Sequence, residues 1–551
     1  MIERSELLER LRNMEAHMLV VGGGITGACI ARDAAMRGIR VALVERRDFA
    51  WGTSSRSSKL VHGGLRYLEQ LDFRLVFEAT RERAVLGRIA PHLVFPIPFL
   101  FPIYDSDKNG VLKIGAGMWL YDLLASFRQY RWHRMMGSAE TSRAEPGLQR
   151  DGLAGAACYY DSGTHDARLT IVNVVDAVRH GGVCLNGVSY EGVERSGGRI
   201  AGARLRDEES GERFSVKCDL VVHAAGPFTD EVQAAAGLTD KHLVRPTKGT
   251  HLIVPAERLP VSHAVVMTTR SDGRVTFAIP WGEGTLIGTT DTDYAGDKSN
   301  VHASSDDVDY LLDAVRTYFP SSELCRDDVI STYAGLRPLV RQDKTSPYEV
   351  TREHEIHWDP AGIMTICGGK LTTCRKMAEE LVDRFLRERD EFRASARVCS
   401  TAQAPLPGGG GISGPEGLAG LARGIQERTG LDDASSEHLA RAYGSETYAL
   451  LDGDLAGDGK LDPLVPGLPY LAGEVDVAVN QELARSTSDV LQRRLHVFYK
   501  DADQGLGVCE QVASRVAELM GKDAEWRQAD AEAYRTEVAR SRAWRAEVGD
   551  A

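Results

Sequence analysis

The sequence predicts an α/β protein in three parts: a parallel-sheet nucleotide-binding domain, an antiparallel sheet interleaved with it in sequence, and a helical C-terminal domain. Three observations lead there. A glycine-rich turn stands between a short apolar strand and a helix near the N-terminus. Apolar strands without helical crossovers follow in the middle of the chain. A Gly- and Pro-rich break then precedes a stretch rich in Ala, Glu, Arg and Leu at helical spacing. At 551 residues the chain exceeds what one core organises, so several domains are required.

Taken in order, residues 1–15 read as a short polar helix. An apolar strand at 18–21, a turn at 22–24, a helix at 28–37 and a strand at 40–45 complete a βαβ unit. A Ser-rich loop occupies 53–59, and a long helix 73–88. Strands at 156–160 and 219–224 flank an amphipathic helix at 167–179. Segments 244–254, 275–280 and 285–288 read as an antiparallel sheet, because no helix separates them. A Ser and Asp start marks a helix at 304–319. Six glycines and three prolines fall within 405–417, which makes this break a linker. The expected partition is 1–80, 155–240 and 335–400 for the nucleotide domain, 81–154 and 241–334 for a substrate domain, 401–415 for the linker and 416–551 for the helical domain.

The net charge of −13 argues against nucleic acid as a partner. The nine cysteines are odd in number, widely spaced and without a CxxC, so no disulfide framework or metal site is expected and a cytoplasmic location fits. The charged start, MIERSELLERLRNME, lacks the apolar core of a signal peptide. No apolar run reaches the roughly 18 residues of a spanning helix. Two apolar, aromatic segments stand out at 93–104 (LVFPIPFLFPIY) and 118–127 (MWLYDLLASF), the second followed by Arg128, Arg131, Trp132, His133 and Arg134. They suit either an anionic membrane surface or burial in the substrate domain. Residues 105–110 (DSDKNG) open like a calcium loop, but position twelve is Ala116 where a bidentate Glu is needed, so this reads as a plain turn.

Gly22, Gly24 and Gly27 form a GxGxxG, with Ile25 and Thr26 between. The first glycine permits a tight turn, the second admits a pyrophosphate to the backbone, and the third lets helix and strand pack. Such a motif is weak alone, but here it follows a strand and opens a helix. Glu45 ends the second strand 18 residues beyond Gly27, close to the spacing of about 20 for the acid that binds a ribose 2′-hydroxyl. Glu45 would repel the 2′-phosphate of NADP. A second strand-turn, LVVHAAGP at 220–227 with Ala225 and Gly226, favours FAD over NAD. Arg46, Thr53 and Ser54 join this cofactor set, and backbone N–H groups of Ser55, Ser57, Ser58 and Lys59 are expected to cradle the pyrophosphate and ribityl chain. The plain alternative is a Ser loop with no ligand.

Segments 54–69 (SSRSSKLVHGGLRYLE), 160–169 (YDSGTHDARL), 280–294 (PWGEGTLIGTTDTDY), 333–339 (YAGLRPL), 367–375 (CGGKLTTCR) and 488–495 (SDVLQRRL) resemble FAD-dependent, quinone-linked glycerol-3-phosphate dehydrogenases. The matches run in order over nearly the whole chain, and HGGLRYLE with GGKLTT is far more specific than the glycine turn. The resemblance implies a Rossmann-like, D-amino-acid-oxidase-like flavin domain, an antiparallel-sheet substrate domain and a helical cap. It also implies oxidation of sn-glycerol 3-phosphate to dihydroxyacetone phosphate by hydride transfer to FAD. Electrons would pass to a quinone at the inner face of the cell membrane, with the protein peripherally attached. Arg56 departs from the family by placing a charge in the Ser loop, and no EF-hand is appended.

That chemistry makes three demands. A phosphate dianion must be held, and guanidinium forks do this best. Arg66, Arg337 and Arg352 are the candidates, with a hydroxyl from Tyr67, although most arginines of any chain merely solubilise its surface. A hydroxyl must lose a proton, for which a near-neutral histidine is the usual base. His251 in KGTH is the first choice; His62 is placed at the flavin edge with Gly63 and Gly64, and an arginine of lowered pKa at Arg337 is a further catalytic candidate. Finally the reduced flavin needs positive charge, which Lys370 and the helix at 375–386 would supply behind Gly369, Leu371 and Thr372. GGK is no Walker A loop, since Leu371 stands where Ser or Thr is required, and the plain reading is a glycine N-cap. Two rivals stay open: an oxidase reducing O2 to H2O2, and a flavin-binding electron-transfer protein without its own substrate. The C-terminal domain is expected to stabilise the chain or to support a homodimer.

Overall fold

The computed structural model describes residues 3–64, 72–125, 129–239, 241–270, 272–342 and 353–547. Met18–Val21 is wholly buried and pairs in parallel with Val41–Glu45 on one side and Val221–His223 on the other. Val183–Asn186 extends this sheet beyond Val41–Glu45, while Ile363–Gly368 and His354–Asp359 extend the opposite side. Every pairing is parallel except that of the edge strand His354–Asp359. These strands read as unbroken apolar runs because both faces are covered. Helix Ile25–Met36 packs between Asp166–Arg179 and Cys374–Glu388 on one face. A four-stranded sheet containing Val188–Ser196, Arg199–Asp207 and Arg213–Cys218 shares the same core.

Among the described residues the second sheet has ten strands, and the antiparallel prediction holds for its central part. Val244–Pro255 pairs antiparallel with both Gly284–Gly288 and Ser331–Val340, and Val275–Trp281 follows Gly284–Gly288. One pair, Ala264–Thr268 with Val94–Tyr104, is parallel. Helix Ser305–Tyr318 begins at the Ser and Asp start read from sequence, where Ser304 and Asp307 bond reciprocally as a capping box.

The two apolar segments part company. Residues 93–104, weighed as a membrane-surface element, instead form the interior strand Val94–Tyr104 between Ala264–Thr268 and Leu153–Thr164. Pro96, Pro98 and Pro102 share one parity along this strand, so their missing N–H groups lie along a single side. Helix Val111–Leu124, by contrast, leaves Leu112, Trp119 and Leu123 on the surface at 91%, 63% and 64% exposure. Their spacing of seven and four residues places them on one face of the helix.

The C-terminal part is helical and packs on the ten-stranded sheet, where Val490, Leu491 and Tyr499 share a core with Ile253 and Trp281. The glycine-rich stretch is packed as it connects. Leu406 N–H donates to Ile89 O at 2.8 Å, and side chains at Gly408 or Gly409 would overlap the carbonyls of Tyr443 or Ile89. Buried charge ties this part to the nucleotide domain. Arg493 Nε and Arg494 Nη1 lie 2.6 and 2.7 Å from Asp48 Oδ2, and Arg168 Nη2 lies 2.6 Å from Glu482 Oε1. Burial alone would raise the Asp48 carboxyl, but Arg494 and Arg493 outweigh it and hold the pKa at about 2.

Removing one member of such a buried network strands the others without counter-charge. Asp48→Ala is therefore expected to cost about 3–5 kcal/mol, read as a fall in Tm at neutral pH. A variant as stable as wild type would contradict this account of how the domains are joined.

Candidate active site

A long cleft begins where the first strand ends. Gly22 has φ +113°, and a Cβ there would lie 2.6 Å from Ala224 O. A Cβ on Gly27 would overlap Gly22 O. The strand–turn–helix junction is thus closed to side chains, which brings bare backbone to the cleft. Gly24 caps helix Ile25–Met36 without a side-chain bond, so the positive end of the helix faces the same space. Glu45 accepts hydrogen bonds from Gly23 N–H and Arg47 N–H, each at 2.8 Å. Burial raises its pKa, against the pull of those two amides.

Gly22, Gly24, Ile25, Thr26, Glu45 and Arg46 line this cleft, together with Thr53, Ser54, Ser57, Ala225 and Gly226 and with Gly369, Lys370 and Leu371. Gly368 and Gly369, at φ +74° and +84°, turn the chain into a short 3-10 segment ahead of helix Cys374–Glu388. Thr372 Oγ1 stitches this turn to the HGG segment, 3.2 Å from His62 N and 3.3 Å from His62 O. Gly63 and Gly64 follow, and a side chain at Gly63 would overlap the Tyr121 hydroxyl.

The Ser loop departs from expectation. Ser57 N–H donates to Asp166 Oδ2 at 3.1 Å, and Lys59 N–H to Ser57 Oγ at 3.1 Å. The Lys59 ammonium turns inward, 2.6 Å from both Ser55 O and Asp166 Oδ1, and is buried. These two amides are taken up inside the protein, that of Ser57 by the buried Asp166 carboxylate and that of Lys59 by Ser57 Oγ. Ser54 Oγ accepts from Ile25 N–H at 2.9 Å, and Thr53 Oγ1 donates to Leu336 O at 2.6 Å. Arg56 is accommodated because Gly335 has no side chain to meet its Cβ.

The ten-stranded sheet reaches the cleft at Pro338. In its antiparallel ladder His251 faces Tyr333 and Thr247 faces Arg337, so these four share one face. Gly249 lies between, and any side chain there would overlap the Arg337 guanidinium. The glycine of KGTH thus makes room for the arginine of YAGLRPL. The His251 ring stacks on Tyr333 at 4.6 Å and 18°, with Nε2 2.9 Å from Ser58 Oγ. Its pKa falls well below the usual histidine range through burial first, then through the charges of Arg337 and Lys59. Arg337 Nη1 donates to Asp291 Oδ1 at 3.0 Å, and Nη2 to Thr289 Oγ1 at 2.9 Å and Thr290 O at 3.0 Å. A turn in the 280–294 motif therefore holds the guanidinium in one orientation.

Residues 17–384 match the FAD dependent oxidoreductase family, and 399–531 match the C-terminal domain of alpha-glycerophosphate oxidase. The aerobic glycerol-3-phosphate dehydrogenase of Staphylococcus haemolyticus is 36% identical over 527 residues, spanning 94% of this chain and 93% of its own. That of Staphylococcus aureus is 34% identical over 543 residues, spanning 97% and 96%. The structure of the glycerol-3-phosphate dehydrogenase from Bacillus halodurans complexed with FAD superposes with a TM-score of 0.81 at 32% identity, over 98% of this chain and 97% of that one.

The chain belongs to the FAD-dependent glycerol-3-phosphate dehydrogenase family. A more distant likeness, TM-score 0.54 at 17% identity over 68% of this chain and 95% of the other, to the FAD-bound L-alpha-glycerophosphate oxidase of Mycoplasma pneumoniae, shows the shared fold. The flavoprotein fold and the FAD cofactor read from the sequence are borne out. The cleft fits FAD on its own lining: an acid, a side-chain-free turn against a helix N-terminus, and a glycine turn with a lysine.

Arg66, Tyr67 and Arg352 lie outside the described residues. Among the described residues no cluster of His, Cys, Asp and Glu is arranged to hold a metal ion. Sequence reasoning passed over Tyr333, Asp291, Asp161, Asp166 and Gly249. Four of the five stand inside the quoted motifs and the fifth, Gly249, lies beside His251. That placement was the available signal.

Gly22→Val is expected to weaken FAD binding by about 10- to 100-fold, the scale of an overpacking strain of roughly 1–3 kcal/mol. Flavin absorbance of the purified variant checks this, and undiminished flavin content would contradict it.

Proposed function

We propose that this flavoenzyme oxidises sn-glycerol 3-phosphate to dihydroxyacetone phosphate and delivers the electrons to a membrane quinone. The observation that carries the reaction is a buried histidine and a fixed arginine on one face of the sheet beside the flavin cleft. The names of the relatives support the substrate. FAD supplies the hydride acceptor. His251 takes the C2 hydroxyl proton: its lowered pKa keeps the imidazole neutral, as a proton acceptor must be. Arg337 holds the phosphate, its orientation set by Thr289 and Asp291. Arg66, Arg352 and Tyr67 complete the phosphate site, Lys370 supplies positive charge at the cleft end, and His62 orders the flavin edge through Thr372.

The surface supports the quinone reading. Leu112, Trp119 and Leu123 form an exposed stripe beside Trp132, with exposed Lys113, Arg131 and Arg134 nearby. An apolar, aromatic helix face edged with basic residues suits the surface of an anionic membrane, where a quinone dissolves. No helix of the described residues is long and apolar enough to cross a membrane. On this reading the protein works from the cytoplasmic side, attached peripherally to the inner face.

His251→Gln should lower kcat by about 10²–10⁴-fold, the usual worth of a general base, with KM little changed. The sign of the pH effect follows from the lowered pKa. The wild-type base stays active through the ordinary histidine range, and kcat/KM falls only as pH drops below about 6.5. An acid limb centred above that value would remove His251 from the role.

Trp119→Glu with Leu123→Glu should abolish sedimentation with anionic vesicles while dye-linked oxidation persists. With quinone-loaded vesicles, wild type should form one quinol per glycerol 3-phosphate oxidised. Stoichiometric hydrogen peroxide instead would make the protein an oxidase.

A further inference from the structure

Segment 53–64 touches three parts of the site. Ser54 Oγ meets Ile25 N–H of the nucleotide turn, Ser58 Oγ lies 2.9 Å from His251 Nε2, and His62 bonds to Thr372 of the glycine turn. Its register therefore sets the nucleotide turn, the proposed base and the far turn together. Residues 161–166 run alongside the segment and hold it at several points, while Thr53 Oγ1 donates to Leu336 O at 2.6 Å and the Tyr333 hydroxyl to Ser57 O at 2.7 Å. Leu60 and Val61 pair antiparallel with Gly163 and Ser162, and Thr164 N–H donates to Lys59 O at 2.8 Å.

Two buried carboxylates stand at the ends of this short ladder. Asp166 Oδ2 accepts from Ser57 N–H at 3.1 Å and Ser57 Oγ at 2.7 Å, while Oδ1 accepts from Lys59 Nζ at 2.6 Å and Ala167 N–H at 2.8 Å. Asp161 Oδ1 accepts from Gly63 N–H at 3.1 Å and from Arg83, and Oδ2 from the Tyr121 hydroxyl at 2.9 Å. Neither lines the cleft. A buried ion pair gains little stability over an apolar pair of equal volume. A carboxylate that also takes the loop's own N–H and hydroxyl fixes a register, which an apolar pair cannot do.

We infer that Asp161 and Asp166 are positioning residues. Asp166 sets Ser57 to Lys59, and through Ser58 the His251 imidazole; Asp161 sets Gly63, and through His62 the turn at Thr372. The His251 arm rests on the proposed function, whereas the Asp161 arm rests on FAD binding alone. Asp166 has an electrostatic part as well. His251 is faced by Lys59 and Arg337 and stacked on Tyr333; Lys59 is faced by Asp166, Arg56, Tyr333, Tyr499 and Trp281. Among these groups Asp166 is the counter-charge to Lys59.

The test uses FAD-loaded Asp166→Asn and Asp161→Asn. Asp166→Asn unmasks the Lys59 charge, so the acid limb of kcat/KM should move down by about half a pH unit or more, with kcat reduced about tenfold. Lys59→Met in the same background should return the limb upward. Asp161→Asn should shift the flavin absorption band and reduction potential while leaving that limb in place. Lower Tm and flavin occupancy, with the loaded fraction keeping the wild-type limb and spectrum, would reduce both aspartates to a structural role and overturn the inference. Where an Asn variant fails to fold, Ser57→Ala and Tyr121→Phe replace it. Each should lower kcat at full FAD occupancy, and unchanged kcat in both would overturn it. Absence of turnover in wild type would sink the proposed function, and the Asp161→Asn spectrum would then decide the inference.

Discussion

The fold turns on how one polar segment passes between two sheets. Residues 53–64 leave the parallel sheet, run beside the cleft and enter the antiparallel sheet as Leu60–Val61. Buried backbone there must find partners, since an unpaired group costs roughly 1–3 kcal/mol. Residues 161–166 supply them, with two carboxylates and a two-residue ladder. Once that segment is placed, Ser58 meets His251 and His62 meets Thr372, so the two sheets close on a shared cleft.

Glycines do the complementary work. Gly22 and Gly27 clear the nucleotide turn, Gly249 clears a berth for Arg337, and Gly335 one for Arg56. The C-terminal helices lock this arrangement from outside through Asp48, Arg493 and Arg494. The surface stripe on Val111–Leu124 is separate from that machinery, which is why it can be altered without touching the cleft.

Much of this was legible in the sequence where a local rule governs. The strand–turn–helix of residues 18–45 follows from glycine sterics and period, and helix Ser305–Tyr318 from its cap. Prolines hid the strand Val94–Tyr104, because their shared parity matters only once the neighbouring strands are known. Lys59 read only as a backbone N–H donor in the Ser loop, because sequence gives the ammonium but not its partner 107 residues away. The tie between Arg337 and Asp291 was hidden for the same reason: long-range pairing is set by sheet register, which period alone leaves open.

The central claim is that this cleft holds FAD and that glycerol 3-phosphate reduces it. Anaerobic absorbance of the purified protein, before and after adding glycerol 3-phosphate, tests both parts at once. The account predicts a flavin band near roughly 450 nm that bleaches on addition of substrate, as the reduced isoalloxazine requires, and that persists with glycerol alone. A yellow protein that does not bleach would contradict the substrate assignment while leaving the flavin fold intact.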